Sequence, residues 1–322
     1  SITNLNFTFH EGTDRKTTGS YYTRPDLVNE LIKSALIPVI EERLAEVRKK
    51  SSPSINDSEK ALLSLKVCDP ASGSGHMLLA AARTIAWYLA RVRSGEDNPA
   101  PAIYRSCLRE TIQHCVYGVD MNPDAVELCK LALWLESHNS GKPLSFLDHK
   151  IRCGNSLVGV TDLEVLKKGI PDDAFNPVTG DDKEVCKALK KINSAFNKTQ
   201  QFDLFGHHTS ESEVHDFSSE YNEMEEIRQD TINAVQKAKD KFEHLRSNPN
   251  WYNDWTACNL WTSAFFFTYT ESTKKAASTS ESLGQFLRNP ASAYAPMIGK
   301  ANSLSMEHRF FHWPLEFPDV FR

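Results

Sequence analysis

Val67-Cys68-Asp69-Pro70-Ala71-Ser72-Gly73-Ser74-Gly75-His76-Met77-Leu78-Leu79 decides the fold of this chain. A short apolar run ends in a carboxylate, a glycine turn follows, and an apolar stretch then begins at helical spacing: a buried strand, a tight turn and a helix start. Glycines let the backbone approach a ligand closely, and a helix beginning near Gly75 offers unpaired N–H groups and the positive end of its dipole. A dinucleotide-binding fingerprint would want another glycine three residues on, to seat a pyrophosphate, but that position is Leu78. NAD is therefore disfavoured. Asp69 at the strand end suits a ligand carrying a positive amine and no phosphates, which is what S-adenosylmethionine presents.

A second strand strengthens this reading. His114-Cys115-Val116-Tyr117-Gly118-Val119-Asp120 is an apolar run ending in a carboxylate, with Asn122 as N-cap and Pro123 at the first helical position. The helix that follows is apolar on more than one face, as expected between a sheet and something else. A carboxylate at the end of a second strand can accept hydrogen bonds from ribose hydroxyls. Asp120 could alternatively do no more than complement the helix dipole. A third strand is expected at Lys150-Ile151-Arg152-Cys153, leading to Gly154-Asn155-Ser156-Leu157, where the Asn155 amide could read an adenine edge or merely cap a turn.

Taken in order, four segments resemble the successive cofactor motifs of gamma-order N6-adenine DNA methyltransferases. They are Gly19-Ser20-Tyr21-Tyr22-Thr23, Asp69-Pro70-Ala71-Ser72-Gly73-Ser74-Gly75, Gly118-Val119-Asp120 and Gly154-Asn155-Ser156-Leu157. The likeness is closest to the methylase region of large type II (type IIG-like) restriction-modification enzymes. It extends through Phe175-Asn176-Pro177-Val178-Thr179-Gly180 to Phe310-Phe311-His312-Trp313-Pro314-Leu315-Glu316-Phe317-Pro318-Asp319-Val320-Phe321. The resemblance implies that S-adenosylmethionine is the cofactor. Asp69, Ala71, Gly73 and Gly75 would line its methionine end, Asp120 would hold the ribose, and the neighbouring Pro70 and Met121 would belong to the same cofactor-binding set. Asn155 with Ser156 would face the adenine, while Tyr21, Tyr22 and Thr23 would close over the carboxylate. Members of the group more often carry an aspartate where Asn155 stands.

One feature of the group is missing from the sequence. Adenine-N6 transfer there depends on an Asn/Asp-Pro-Pro-aromatic tetrapeptide after a fourth strand. Its amide and a backbone carbonyl accept the protons of a weakly nucleophilic amine, while its ring stacks on the flipped base. The nearest string, Asn248-Pro249-Asn250-Trp251, follows a charged helical run and reads as a turn between helices. The expectation is an N-terminal fragment that ends before the motif and therefore holds no catalytic residue itself. A whole enzyme would transfer the methyl group by direct in-line attack, without a metal.

Composition fits and adds limits. The 322 residues carry 37 basic against 42 acidic side chains, a net charge of −5, so nothing announces a polyanion-binding surface. Double-stranded DNA is the expected partner, held mainly by regions outside this chain. Seven cysteines without Cys-x-x-Cys spacing argue for a reducing, cytoplasmic setting and against a metal cluster. No apolar run is long enough to suggest a membrane span.

The expected architecture is α/β: a Rossmann-like S-adenosylmethionine-dependent methyltransferase domain with an incomplete sheet, interrupted by an α-helical insertion. The cofactor domain and an N-terminal arm and helix occupy 1–160, the insertion 161–306, and a segment returning to the cofactor domain 307–322. The unpaired edge of the first strand is expected to be covered by the return segment or by self-association. The aromatic stretches Trp251–Trp255 and Trp261–Phe267 contain no interleaved Lys or Arg, which favours core packing over base stacking. His207 and His208 are adjacent and so lack metal-ligand spacing. Two other classes stay open: a non-catalytic cofactor-binding or assembly module, and a methyltransferase acting on RNA or protein.

Overall fold

The computed structural model describes residues 23–203 and 214–321. Three helices lead in: α1 (Pro25–Leu31), continued through a π-helical turn into α2 (Ile37–Arg48), then α3 (Ile55–Leu63). Ser54 caps α3, its hydroxyl accepting the Asp57 N–H while the Asp57 carboxylate accepts the Ser54 N–H. This reciprocal box satisfies two otherwise orphaned donors.

A three-stranded parallel sheet follows in the order β1-β2-β3, with β1 at Val67–Asp69, β2 at Val116–Asp120 and β3 at Ile151–Cys153. Cys68 lies opposite Tyr117, and Val119 opposite Arg152. Between β1 and β2 come α4 (His76–Ser94) and α5 (Pro101–Cys115), and between β2 and β3 comes α6 (Pro123–Glu136). The expected second strand is thus shorter at its start. His114 and Cys115 close α5, which runs directly into Val116. The apolar pattern there serves a helix end and a strand without interruption, which periodicity over so few residues cannot separate.

Alternation along β2 divides the structure into layers. Val116 faces α4, α5 and α6, in a core with Leu78, Ile85, Leu89, Ile112, Cys129 and Leu133. Tyr117 and Val119 face the other way, onto Phe311, Trp313 and Phe317. The C-terminal segment therefore lies on a face of the sheet. Among the described residues β1 pairs with β2 alone, and its residues remain half-buried.

Beyond residue 160 the structure is helical: α7 (Glu164–Lys168), α8 (Lys183–Asp203), α9 (Ser218–Glu225), α10 (Ile232–Arg246), α11 (Pro249–Ser263), α12 (Ser280–Arg288), α13 (Ala295–His308) and α14 (Trp313–Glu316). Asn248 caps α11, accepting the Asn250 N–H, with Pro249 at the first position. One helix ends at Arg246 and the next opens at Pro249, so the Asn-Pro string is the turn between helices that its chemistry suggested. Trp251, Leu260 and Phe267 are buried in the core of these helices, although Tyr252 and Phe265 are exposed.

Buried charge ties the layers together. Glu316 accepts from Arg152 of β3 and Arg246 of α10, each at 2.9 Å. These two cations offset the burial cost and hold its carboxyl down at about 2. On the same face of the sheet, Tyr117 Oη accepts from Lys66 at 2.8 Å and Lys150 at 2.9 Å and donates to Asp319. Lys150 also meets Glu225 at 2.9 Å, and His149 Nε2 lies 2.7 Å from the same carboxylate. Removing one member of such a set would leave an uncompensated buried charge.

Candidate functional site

Because the strands are parallel, their C-terminal ends share one edge, where open α/β sheets hold their ligands. Asp69, Asp120 and Cys153 end the three strands there. The Asp69–Gly75 turn leaves β1 with Gly73 at φ +51° and Gly75 at φ +85°, both in the left-handed region that side chains avoid. Gly75 is the N-cap of α4, so the first N–H groups of a 19-residue helix point toward this edge.

Asp120 organises the turn. Its Oδ2 accepts the Gly73 N–H at 2.8 Å, and its Oδ1 accepts the Asn122 N–H at 2.8 Å. The Ser72 N–H donates to the Val119 carbonyl at 2.9 Å, so the loop is pinned to the end of β2 twice. A carboxylate has about four acceptor sites, leaving capacity beyond these two bonds. Asp69 Oδ1 accepts the Ala71 N–H at 3.0 Å. Burial, and more weakly the Asp120 charge, push the Asp69 carboxyl above its ordinary range against that hydrogen bond. A cationic group placed between two such carboxylates would be favoured.

Asn155 sits two residues beyond β3, half-buried, its Oδ1 accepting the Leu157 N–H at 3.1 Å. The turn-capping role is thus present, and the oxygen keeps a second lone pair. Its own N–H donates to the Arg309 carbonyl at 2.7 Å, which anchors this edge to the C-terminal segment. The Ser156 carbonyl accepts from Trp313 Nε1 at 3.1 Å, making Ser156 a backbone anchor. Met121 is exposed, and its carbonyl accepts from the Arg309 guanidinium. Pro70 and Ala71 are exposed at the turn, and Thr23 is exposed ahead of α1. Tyr21 and Tyr22, like His207 and His208, lie outside the described residues.

Two packing roles at this edge went unread in the sequence. A Cβ on Gly118 would lie 2.9 Å from Leu78 and 3.1 Å from Ser72, so the bare backbone of β2 is what lets the turn close over it. A glycine inside a strand is the signal for such close approach. Cys129 on α6 packs under Gly75, and burial pushes its thiol up to about 12, so it acts as an apolar wedge. Among the described residues no cluster of His, Cys, Asp or Glu is placed to hold a metal ion, and no helix is long and apolar enough to cross a membrane.

Residues 114–321 match the family described as Eco57I restriction-modification methylase. The matched stretch includes Asp120, Asn155, the helical region and the C-terminal segment, and begins after the Asp69–Gly75 turn. The chain is 29% identical over 186 residues to a candidate type II restriction enzyme and methyltransferase of Methanocaldococcus jannaschii, covering 46% of this chain and 15% of that relative. It therefore spans well under a quarter of the relative's length. No solved structure matches the chain significantly. With more than half of its residues matched, this chain belongs to the Eco57I restriction-modification methylase family.

Proposed function

We propose that this chain is the S-adenosylmethionine-binding portion of a site-specific DNA adenine-N6 methyltransferase from a restriction-modification system. The observation that carries the reading is the Asp120 carboxylate holding the Gly73 N–H of a left-handed glycine turn at the C-terminal edge of a parallel sheet. The turn brings backbone and two carboxylates together without a bulky side chain between them. That set of acceptors fits a ligand with an ammonium at one end and a ribose diol at the other.

Bound there, the cofactor would supply an electrophilic methyl group on a sulfonium. Asp69 would accept from its ammonium, with Pro70, Ala71, Gly73 and Gly75 as the wall beside it. Asp120 would receive the ribose hydroxyls next to Met121. Asn155 would offer the free lone pair of Oδ1 to the adenine amine, with Ser156 beside it, and Tyr21, Tyr22 and Thr23 would cover the carboxylate. The Rossmann-like identity of the sheet, the division at 160 and 306, and duplex DNA as acceptor belong to the same proposal.

Photolabelling tests the site directly. Ultraviolet irradiation with methyl-labelled S-adenosylmethionine, followed by peptide mapping, should place label on peptides containing 69–75, 118–122 or 153–157. Label confined to the region 161–306 would reject the reading.

A further inference from the structure

A cavity of about 260 Å³ lies between α5 and the loop joining α9 to α10, at the opposite end of the sheet from the glycine turn. Arg109 of α5 lines it and is buried to 3% exposure. Its Nη2 donates to the Gln229 carbonyl at 2.8 Å, while its Nε has no hydrogen-bond partner. No carboxylate meets this guanidinium within ion-pair distance among the described residues. Buried cations are ordinarily paired, because the uncompensated charge is costly.

Asp230 offsets the Arg109 charge only through space, and neither acid on the wall pairs with it directly. Asp230 is taken by Lys142 at 2.6 Å and approached by Arg228 at 3.5 Å. Glu110 is taken by Arg93 at 2.6 Å. The lining therefore places Arg109, Lys142 and Arg228 around one space, and both of its acidic groups already have cationic partners. A water's share of liquid volume is about 30 Å³, so the space admits a tetrahedral oxyanion together with hydrating waters. Guanidinium forks match such oxygens with parallel hydrogen bonds.

We propose that this cavity is a binding site for a phosphate-class oxyanion, free phosphate or a small phosphate monoester, with Arg109 as its buried anchor and Arg228 and Lys142 at its rim. The site joins two parts of the molecule. Arg109 belongs to the helix entering β2, whereas Gln229 and Asp230 belong to the helical region, and Gln229 Oε1 accepts the Phe146 N–H at 2.6 Å. An anion bound here would clamp that loop against α5. The inference does not depend on the cofactor reading.

Calorimetric titration of the chain with inorganic phosphate, at fixed pH and ionic strength, tests it, with chloride and a short DNA duplex as parallel arms. One-site saturation by phosphate is expected, weakened at least tenfold in Arg109→Gln. Arg228 is 82% exposed on its side chain, so Arg228→Ala leaves the core untouched. It should weaken binding severalfold even if Arg109→Gln does not fold. Phosphate heats indistinguishable from chloride, binding unchanged in Arg228→Ala, or binding by the duplex alone would each overturn the proposal.

Discussion

Replacing Gly75 with alanine probes the turn at its tightest point. A Cβ there would stand 2.6 Å from Cys129 Sγ, and once the sulfur is removed the next neighbour is Cys129 Cβ at 3.4 Å. Cys129 is fully buried, so its sulfur has no solvent to move into. The left-handed conformation costs a side chain about 1–2 kcal/mol, and forcing a carbon into a packed contact costs about 1–3 kcal/mol. Gly75→Ala should therefore lose roughly 2–5 kcal/mol of stability, the sum of those two costs. Cys129→Ala alone should lose about 1 kcal/mol of burial. In the double variant the steric part disappears and the backbone strain stays, so its loss should fall about 1–3 kcal/mol short of the sum of the singles. Urea unfolding followed by tryptophan fluorescence measures all four corners of this cycle. Losses that add to within about 0.5 kcal/mol would refute the contact. S-adenosylmethionine affinity should fall in Gly75→Ala and recover in part in the double variant.

Other perturbations follow from the same geometry. His312 is fully buried, its Nδ1 accepting the Val160 N–H at 3.1 Å and its Nε2 donating to Asn259 at 2.9 Å, and burial pushes it down to about 3. The folded value is depressed, so below the unfolded value near 6.5 the unfolded chain binds the proton first. Stability should then fall by about 1.4 kcal/mol per pH unit on acidification from about pH 6 toward 3. His149, also lowered by burial, adds to the slope in the same direction. Unfolding midpoints at pH 8, 6.5 and 5 should show the decline, and His312→Gln should flatten it; parallel slopes in both proteins would count against the assignment. Glu316→Gln leaves Arg152 and Arg246 without their counter-charge and should cost on the order of 3–5 kcal/mol, read by the same unfolding assay. Asn155→Asp should tighten S-adenosylmethionine binding severalfold, since a charged acceptor strengthens the hydrogen bond; calorimetry showing equal or weaker affinity would remove Asn155 from the adenine contact.

The strand ends and the glycine turn were legible because each is a local signal. Asp69, Asp120 and Asn155 stand where a carboxylate or amide follows a short apolar run, Asn122-Pro123 announces a helix start by capping chemistry alone, and Asn248-Pro249 announces a turn between helices. The start of β2 was not legible, since α5 passes into it without a turn residue. Nor could the buried charges be foreseen. Lys66, Lys150, Glu225 and Asp319 are far apart in sequence, and each reads singly as a solvated side chain. Only the docking of α9 and the C-terminal segment brings them onto Tyr117 Oη and one another. Arg109 is the same case with the opposite outcome, because folding buries it and supplies a carbonyl but, among the described residues, no carboxylate within ion-pair distance. The packing of Cys129 under Gly75 likewise depends on how α6 crosses α4, which neither local pattern encodes.

The central claim is that Asp120 and the glycine turn form the cofactor pocket. Calorimetric titration with S-adenosylmethionine, run on this chain and on Asp120→Ala, tests it most directly. Asp120→Ala removes both the acceptor for the Gly73 N–H and the proposed ribose contact, whereas Glu96→Ala changes an exposed acid beyond the end of α4 and serves as the control. The account predicts one-site binding by the unaltered chain and by the control, with affinity reduced by at least a hundredfold in Asp120→Ala. Binding of equal strength in all three would contradict it, as would a folded Asp120→Ala that keeps the cofactor with the heat and stoichiometry of the unaltered chain.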